Sequence, residues 1–222
     1  VIRTNDGSEG ALAMIGTVSP AGGNFEEPVT QSTLGAVKCF LGLSADRAYK
    51  RFYPAVDPLL SWSRYREQLA EWYRARMGGD WAGRVAAMLD LLHRGSEIQQ
   101  MIQVTGEEGI TLDDFVTHQA ALFLDMVYLQ QDAFDAVDQS VSPERQRAQF
   151  DRVHAAVTRS YAFADRDAAR EHFTRLTGLF RNLNYAPEGS QEEARLLEEI
   201  RTLDRSVPLA GHHGAAEAAD PA

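Results

Sequence analysis

From residue 61 onward, apolar positions recur every three or four residues, the period of one buried helix face. Val85, Met88, Leu89 and Leu92 form one such stripe, and Ile98, Met101 and Ile102 continue it beyond Gly95. Residues 105–109, polar and glycine-bearing, predict a turn. Thr111 then stands where a capping hydroxyl belongs, ahead of a helix carrying Phe115, Leu122, Phe123, Met126 and Val127. Phe150, Val153, Val157 and Tyr161 mark another helix, Leu176, Leu179, Phe180 and Leu183 a further one. Leu196, Leu197 and Ile200 line one side of a charged last helix.

The pattern before residue 61 is different. Residues 11–18 are a short unbroken apolar run, too short for a helix of that burial, and predict a buried strand. Residues 19–28 hold two prolines and a glycine pair and predict a loop. Residues 30–43 predict a helix capped by Thr30 or Ser32, with Cys39 a small buried hydrophobe inside it. Residues 44–50 predict a second short helix, and Pro54 and Pro58 hold the next segment extended. The organisation expected is an α/β segment over 1–62, a helical domain over 63–205, and a disordered tail over 206–222 that includes His212 and His213.

Composition narrows the function. The 222 residues carry 22 basic and 32 acidic side chains, a net charge of -10, which argues against nucleic acid as a partner. One cysteine excludes an internal disulfide. No apolar run approaches the roughly 20 residues of a membrane-spanning helix. The only lysines are Lys38 and Lys50, and neither follows glycine and precedes Ser or Thr, so the chain holds no phosphate loop. The histidines show no metal-ligand spacing, and no nucleophile–histidine arrangement stands out, so neither a metal site nor a catalytic residue is expected in this chain. The start at Val1-Ile2-Arg3, without Met, reads as a chain picked up partway.

Three motifs carry a family resemblance. Residues 16–34, Gly-Thr-Val-Ser-Pro-Ala-Gly-Gly-Asn-Phe-Glu-Glu-Pro-Val-Thr-Gln-Ser-Thr-Leu, resemble a segment of the catalytic A subunit of V-type and A-type rotary ATPases. Tyr53-Pro54-Ala55-Val56 and Leu129-Gln130-Gln131-Asp132-Ala133-Phe134 are similar to two further motifs of that subunit, in the same order. Ala21 stands where the family has proline, and Asp132 where it has asparagine. The first of these two motifs, read on to Leu59, is also similar to the F-type catalytic subunit. The resemblance implies a fold: the C-terminal edge of a RecA-like nucleotide-binding domain followed by a helical bundle, mostly α overall.

The resemblance also implies roles. Tyr53 and Phe134 would sandwich adenine, with Pro54, Gln130 and Gln131 beside them. On the residues alone, the two aromatics read as core side chains and the glutamines as a solvated helix end. Asp132 in place of Asn loses the amide donors and adds a charge, which either weakens nucleotide binding or faces solvent. Glu26 and Glu27 in the proline–glycine loop, and Glu107 and Glu108 at the later turn, would meet the central rotor stalk. The bland readings are a solvated turn and helix-end charge complementarity. ATP or ADP with Mg²⁺ would bind the intact subunit, with nothing held tightly by this chain alone. Its expected partners are the noncatalytic B subunit in an alternating hexamer, the rotor stalk and the peripheral stalk, at the cytoplasmic face and touching the membrane only through the complex. The chain would serve ATP hydrolysis or synthesis coupled to proton or sodium transport, yet be inactive by itself. Two other readings stay open: a noncatalytic nucleotide-binding rotary subunit, and a stand-alone helical interaction module.

Overall fold

A computed structural model describes residues 2–210 of the chain. By contacts the chain divides into two compact units, Val1–Phe40 and Leu41–Ala222.

The first unit opens with a two-strand antiparallel hairpin, β1 (Ile2–Arg3) and β2 (Glu9–Gly10). Its turn is closed by Asp6, whose carboxylate accepts the Ser8 N–H at 3.0 Å. Residues 11–18 then run without a strand partner among the described residues, and Leu12, Met14 and Ile15 are 77, 88 and 95% exposed. This corrects the expectation of a buried strand. An apolar run becomes a buried strand only when a ladder and a covering face are present, and nothing in unit one supplies them. Helix α1 (Pro28–Ala36) starts with proline in its first turn, where a missing N–H costs nothing. Thr30, offered as its cap, lies buried inside that turn and donates to Glu27 Oε1 at 3.2 Å. The helix stops at Ala36, well short of residue 43. Cys39 therefore sits in an extended pair, β3 (Cys39–Phe40), and is exposed rather than buried in a helix.

The second unit holds the core. Short helix α2 (Ala45–Tyr49) is capped by Ser44, whose hydroxyl accepts from the Arg47 N–H at 3.4 Å. A two-residue strand, β4 (Trp62–Ser63), precedes α3 (Ala70–Met77) and the long α4 (Trp81–Thr105). A single 3-10 turn (Glu107–Gly109) reverses the chain into α5 (Leu112–Leu124). Thr111 caps α5 as the sequence predicts: its hydroxyl accepts the Asp114 N–H at 3.1 Å and donates to the Asp114 carboxylate at 2.8 Å. A π turn (Asp125–Leu129) ends α5 and leads into an irregular loop. Then come α6 (Pro143–Thr158), α7 (Arg166–Tyr185) and α8 (Gln191–Ser206), whose caps Ser142, Asp165 and Ser190 each accept an N–H three residues on.

The main core gathers Met88, Phe123, Val153, Phe173, Leu176 and Phe180 from four helices. Burying each such side chain stabilises the unit by about 1.5–3 kcal/mol. A smaller cluster of Ile98, Ile110 and Phe115 fills the α4–α5 tip. Arg145 closes the far end of α7 by donating to the carbonyls of Leu183, Asn184 and Ala186 at 3.2, 3.0 and 2.9 Å, where the last turn of a helix runs short of N–H partners.

Packing divides the chain at a different place from the expected domain limit, and the tail begins later than expected. Residues 41–62, assigned from the sequence to the first domain, pack with the helices. Phe52 is 4% exposed beneath the Arg47 guanidinium, and Arg47 pairs with Asp125 at 2.8 Å. The tail expected from 206 is ordered at first: the Ala162 N–H donates to Pro208 and the Ala210 N–H to Ser160, both at 2.9 Å. The rest of that tail, with His212 and His213, lies outside the described residues. Among the described residues no helix is long and apolar enough to cross a membrane.

Candidate functional site

Two segments far apart in sequence build one cavity in the second unit. The first leaves α2 through Arg51, which adopts a left-handed φ of 63°. That turn sends Phe52 into the core and leaves Tyr53 outward, 42% exposed. The second begins at the π turn, where the Gln130 N–H still donates to Asp125 at 3.0 Å before the backbone straightens. Tyr53 and Asp132 then pair as a parallel bridge, and Gln130 Nε2 donates to the Arg51 carbonyl at 3.2 Å.

Residues 130–138 fold back on themselves through their aspartates. Asp132 Oδ1 accepts the Phe134 N–H at 2.9 Å, and Asp135 Oδ1 accepts the N–H groups of Val137 and Asp138 at 2.8 and 2.9 Å. Asp138, 7% exposed, accepts the Asp132 N–H at 2.7 Å, while Gln131 Nε2 donates to its carbonyl at 2.6 Å. Burial pushes the Asp138 carboxyl above the usual range, with the Asp135 and Asp132 charges adding to the effect. The departure at Asp132 thus has a local use. The bond it makes needs only an acceptor oxygen, which Asp and Asn both provide.

The cavity has a volume of about 470 Å³. Four of the expected adenine residues line it: Tyr53, Gln130, Gln131 and Phe134. Pro54 follows Tyr53 but is not in the lining. The two rings stand edge to face, with centroids 6.3 Å apart and planes at 75°, rather than as parallel faces. Phe134 is 86% exposed, and its place is set by its backbone. Each glutamine already uses one amide N–H to hold the loop, leaving its carbonyl and second N–H toward a ligand.

Sequence reasoning missed the rest of the lining. Arg51 and Met126 flank the expected motifs, and Arg181, Asn184 and Tyr185 arrive from α7. Asn184 is buried and fixed, its Nδ2 donating to Val127 at 2.8 Å and its Oδ1 accepting from Gln149 at 3.0 Å. The lining is mixed: Tyr53, Phe134, Tyr185 and Met126 supply ring and apolar surface among charged and amide side chains, and aromatic surface beside fixed polar groups suits a flat heterocycle with a polar edge.

The four acidic candidates lie apart from the cavity lining. In the first unit, Glu26 is exposed, and Glu27 stands at the N-cap position of α1 without a side-chain capping bond, accepting instead from the Thr30 hydroxyl. At the α4–α5 tip both Glu107 and Glu108 are exposed. Glu107 pairs with Arg170 at 2.6 Å, so part of its charge is answered within the unit, whereas Glu108 enters no ion pair among the described residues.

Residues 2–63 match the nucleotide-binding domain of the ATP synthase alpha/beta family, and residues 70–160 match the C-terminal domain of V and A type ATP synthase. The fold class is therefore the edge of a nucleotide-binding domain followed by a helical C-terminal domain. The V-type ATP synthase alpha chain of Treponema denticola is 44% identical over 86% of this chain and 30% of that one. The alpha chain of Chlamydia pneumoniae is 45% identical over 93% of this chain and 35% of that one. The chain thus belongs to the V- and A-type ATP synthase alpha-chain family, and spans about a third of the length of the curated relatives it matches.

Proposed function

We propose that this chain provides the adenine-binding part of the catalytic subunit of a rotary ATPase, together with the helical arm that meets the rotor. The observation that carries this reading is the joining of Tyr53 and Phe134, 81 positions apart in sequence, at the mouth of one cavity. The exposed Phe134 ring swings to cover a base laid against Tyr53, and the Gln130 and Gln131 carbonyls accept from its amino edge.

The domain limits proposed are the nucleotide-binding edge up to residue 62 and the helical domain from 63 to 205. Phosphoryl transfer needs a phosphate cradle and a water-positioning group, and this chain holds no phosphate loop. Mg²⁺ accompanies the nucleotide in the intact subunit, held by its phosphates and one or two carboxylates rather than by a protein cage; among the described residues no three His, Cys, Asp or Glu side chains gather to hold a metal. The work assigned to this chain is positioning. Base contacts fix ATP, and their closing and opening move the α4–α5 arm, whose tip carries Glu107 and Glu108. Glu26 and Glu27 face the same rotor from the first unit. The proposed setting is the cytoplasmic ATPase head, alternating with B subunits and joined to the rotor and peripheral stalk, with proton or sodium transport in the membrane part.

The test is binding of a ribose-labelled fluorescent ATP to the full-length subunit. Tyr53→Ala and Phe134→Ala should each weaken it about tenfold, the scale of one lost aromatic stack with its burial. Unchanged affinity in both variants would remove the assignment. The 222-residue chain alone should release no phosphate from MgATP above background, and release above background would overturn that expectation.

A further inference from the structure

We propose that Asp138 is the positioning residue of this pocket: its buried carboxylate sets the shape of the 130–138 loop and so the place of the Phe134 ring. The inference rests on the adenine-pocket reading and deepens it.

The bonds form a relay. Asp138 accepts the Asp132 N–H at 2.7 Å, and Asp132 in turn accepts the Phe134 N–H at 2.9 Å. The same Asp132 is bridged to Tyr53 through the backbone, so one residue ties both aromatic segments to Asp138. Gln131 Nε2 closes the loop onto the Asp138 carbonyl at 2.6 Å. Phe134 has little else to hold it: its ring is 86% exposed, and its recorded ring contact is Tyr53, the other wall of the pocket. A ring without packing of its own takes its position from the backbone beneath it. Asp138 is 7% exposed in a position where burying a carboxylate is costly, and the N–H it accepts offsets that cost.

The requirement is for an acceptor oxygen at 138, not for charge. Asp138→Asn keeps the acceptor and Asp138→Ala removes it. Asp132 gives a parallel pair at a more accessible place, because Asp132→Asn keeps the acceptor for Phe134 and Asp132→Ala removes it.

The experiment measures ribose-labelled fluorescent ATP binding to the full-length subunit, with thermal unfolding recorded on each variant. Asp138→Ala should weaken binding about tenfold, matching Phe134→Ala. Asp138→Asn should stay within about twofold of the parent, the usual margin of additivity. Placed on Phe134→Ala, the Asp138→Ala change should add nothing beyond that margin, because the relay ends at a ring already removed. Asp132→Ala should copy Asp138→Ala, and this holds the proposal open to refutation even if Asp138→Ala does not fold.

Several outcomes overturn the proposal. Normal binding in Asp138→Ala, or in Asp132→Ala, alongside weakened Phe134→Ala would leave Asp138 with loop stability only. Losses that multiply in the double variant would show that it acts apart from Phe134. An Asp138→Asn as damaged as Asp138→Ala would make the charge the requirement. If Phe134→Ala itself binds normally, this proposal falls, and the adenine-pocket reading falls with it only when Tyr53→Ala binds normally too.

Discussion

His172 is a weak base enclosed by rings. Tyr161, Phe163 and Phe173 stand 4.8, 5.4 and 5.5 Å from it, it is 4% exposed, and neither ring nitrogen has a partner among the described protein atoms. Burial pushes its pKa below the ordinary 6.5; Arg159 and Arg175 act the same way, and Asp204 opposes them. His118 and His154 are lowered by burial too. A depressed histidine pKa means the unfolded chain takes up the proton first, so stability is lost as pH falls through 6.5 toward the folded values. Asp125 and Asp138 act in the other direction, since burial raises both and the folded state then takes the proton first. Their window lies nearer the carboxylate range, so acidification from neutral meets the histidines first. His172→Phe should therefore lose less stability between pH about 7.5 and about 5.5 than the parent, as read from urea midpoints. Equal losses would refute the assignment. At this scale the sequence was uneven: Tyr53 and Phe134 are legible because their motifs are local. Arg181 and Tyr185 are not, because nothing in α7 says which of its faces meets the 130–138 loop. The spacing of Asp132, Asp135 and Asp138 is a usable turn signal for that loop, and it points to Asp138, the second lining carboxylate beside Asp132.

Among the elements, the crossing of α4 and α5 is tight. A Cβ added at Gly95 would lie 2.3 Å from the Ala121 Cβ, and the Gly95 carbonyl faces His118 Nδ1 at 3.4 Å. Gly95→Ala should destabilise the chain by about 1–3 kcal/mol in chemical denaturation, although alanine is the better helix former. Gly178 in α7 has nothing within 4 Å of its added Cβ, and Gly178→Ala should stabilise by about 0.5–1 kcal/mol. Two alanines of the same sign would refute the packing account. Helices were the most legible elements, since their stripes and caps are written within a few residues of each other, as at Thr111. The errors fell on extended chain. The 11–18 run and Cys39 were both placed by local hydrophobicity, but a strand is defined by partners elsewhere in the chain, which no local pattern contains.

Over the whole molecule, family limits and packing limits differ. The family models separate between residues 63 and 70, whereas contacts divide the chain after Phe40. Residues 41–62 belong by descent with the nucleotide-binding segment and by packing with the helices. The Arg47–Asp125 pair and the Tyr53–Asp132 bridge fix that attachment. A pocket with one wall from each ancestry would serve the proposed coupling of nucleotide to the helical arm, because a shift in either wall is felt in the other.

The exposed 11–18 run also carries an expectation for how the chain behaves in a tube. Three large exposed apolar side chains within four positions, on backbone with no ladder partner among the described residues, offer a template to a second molecule doing the same. Concentrated solutions should therefore scatter light through self-association, with the threshold rising when Met14→Lys and Ile15→Glu are introduced together. An unchanged threshold would place the adhesive surface elsewhere. The expected consequence, in colloidal terms, is that a segment of eight residues limits the concentration at which this chain stays dispersed.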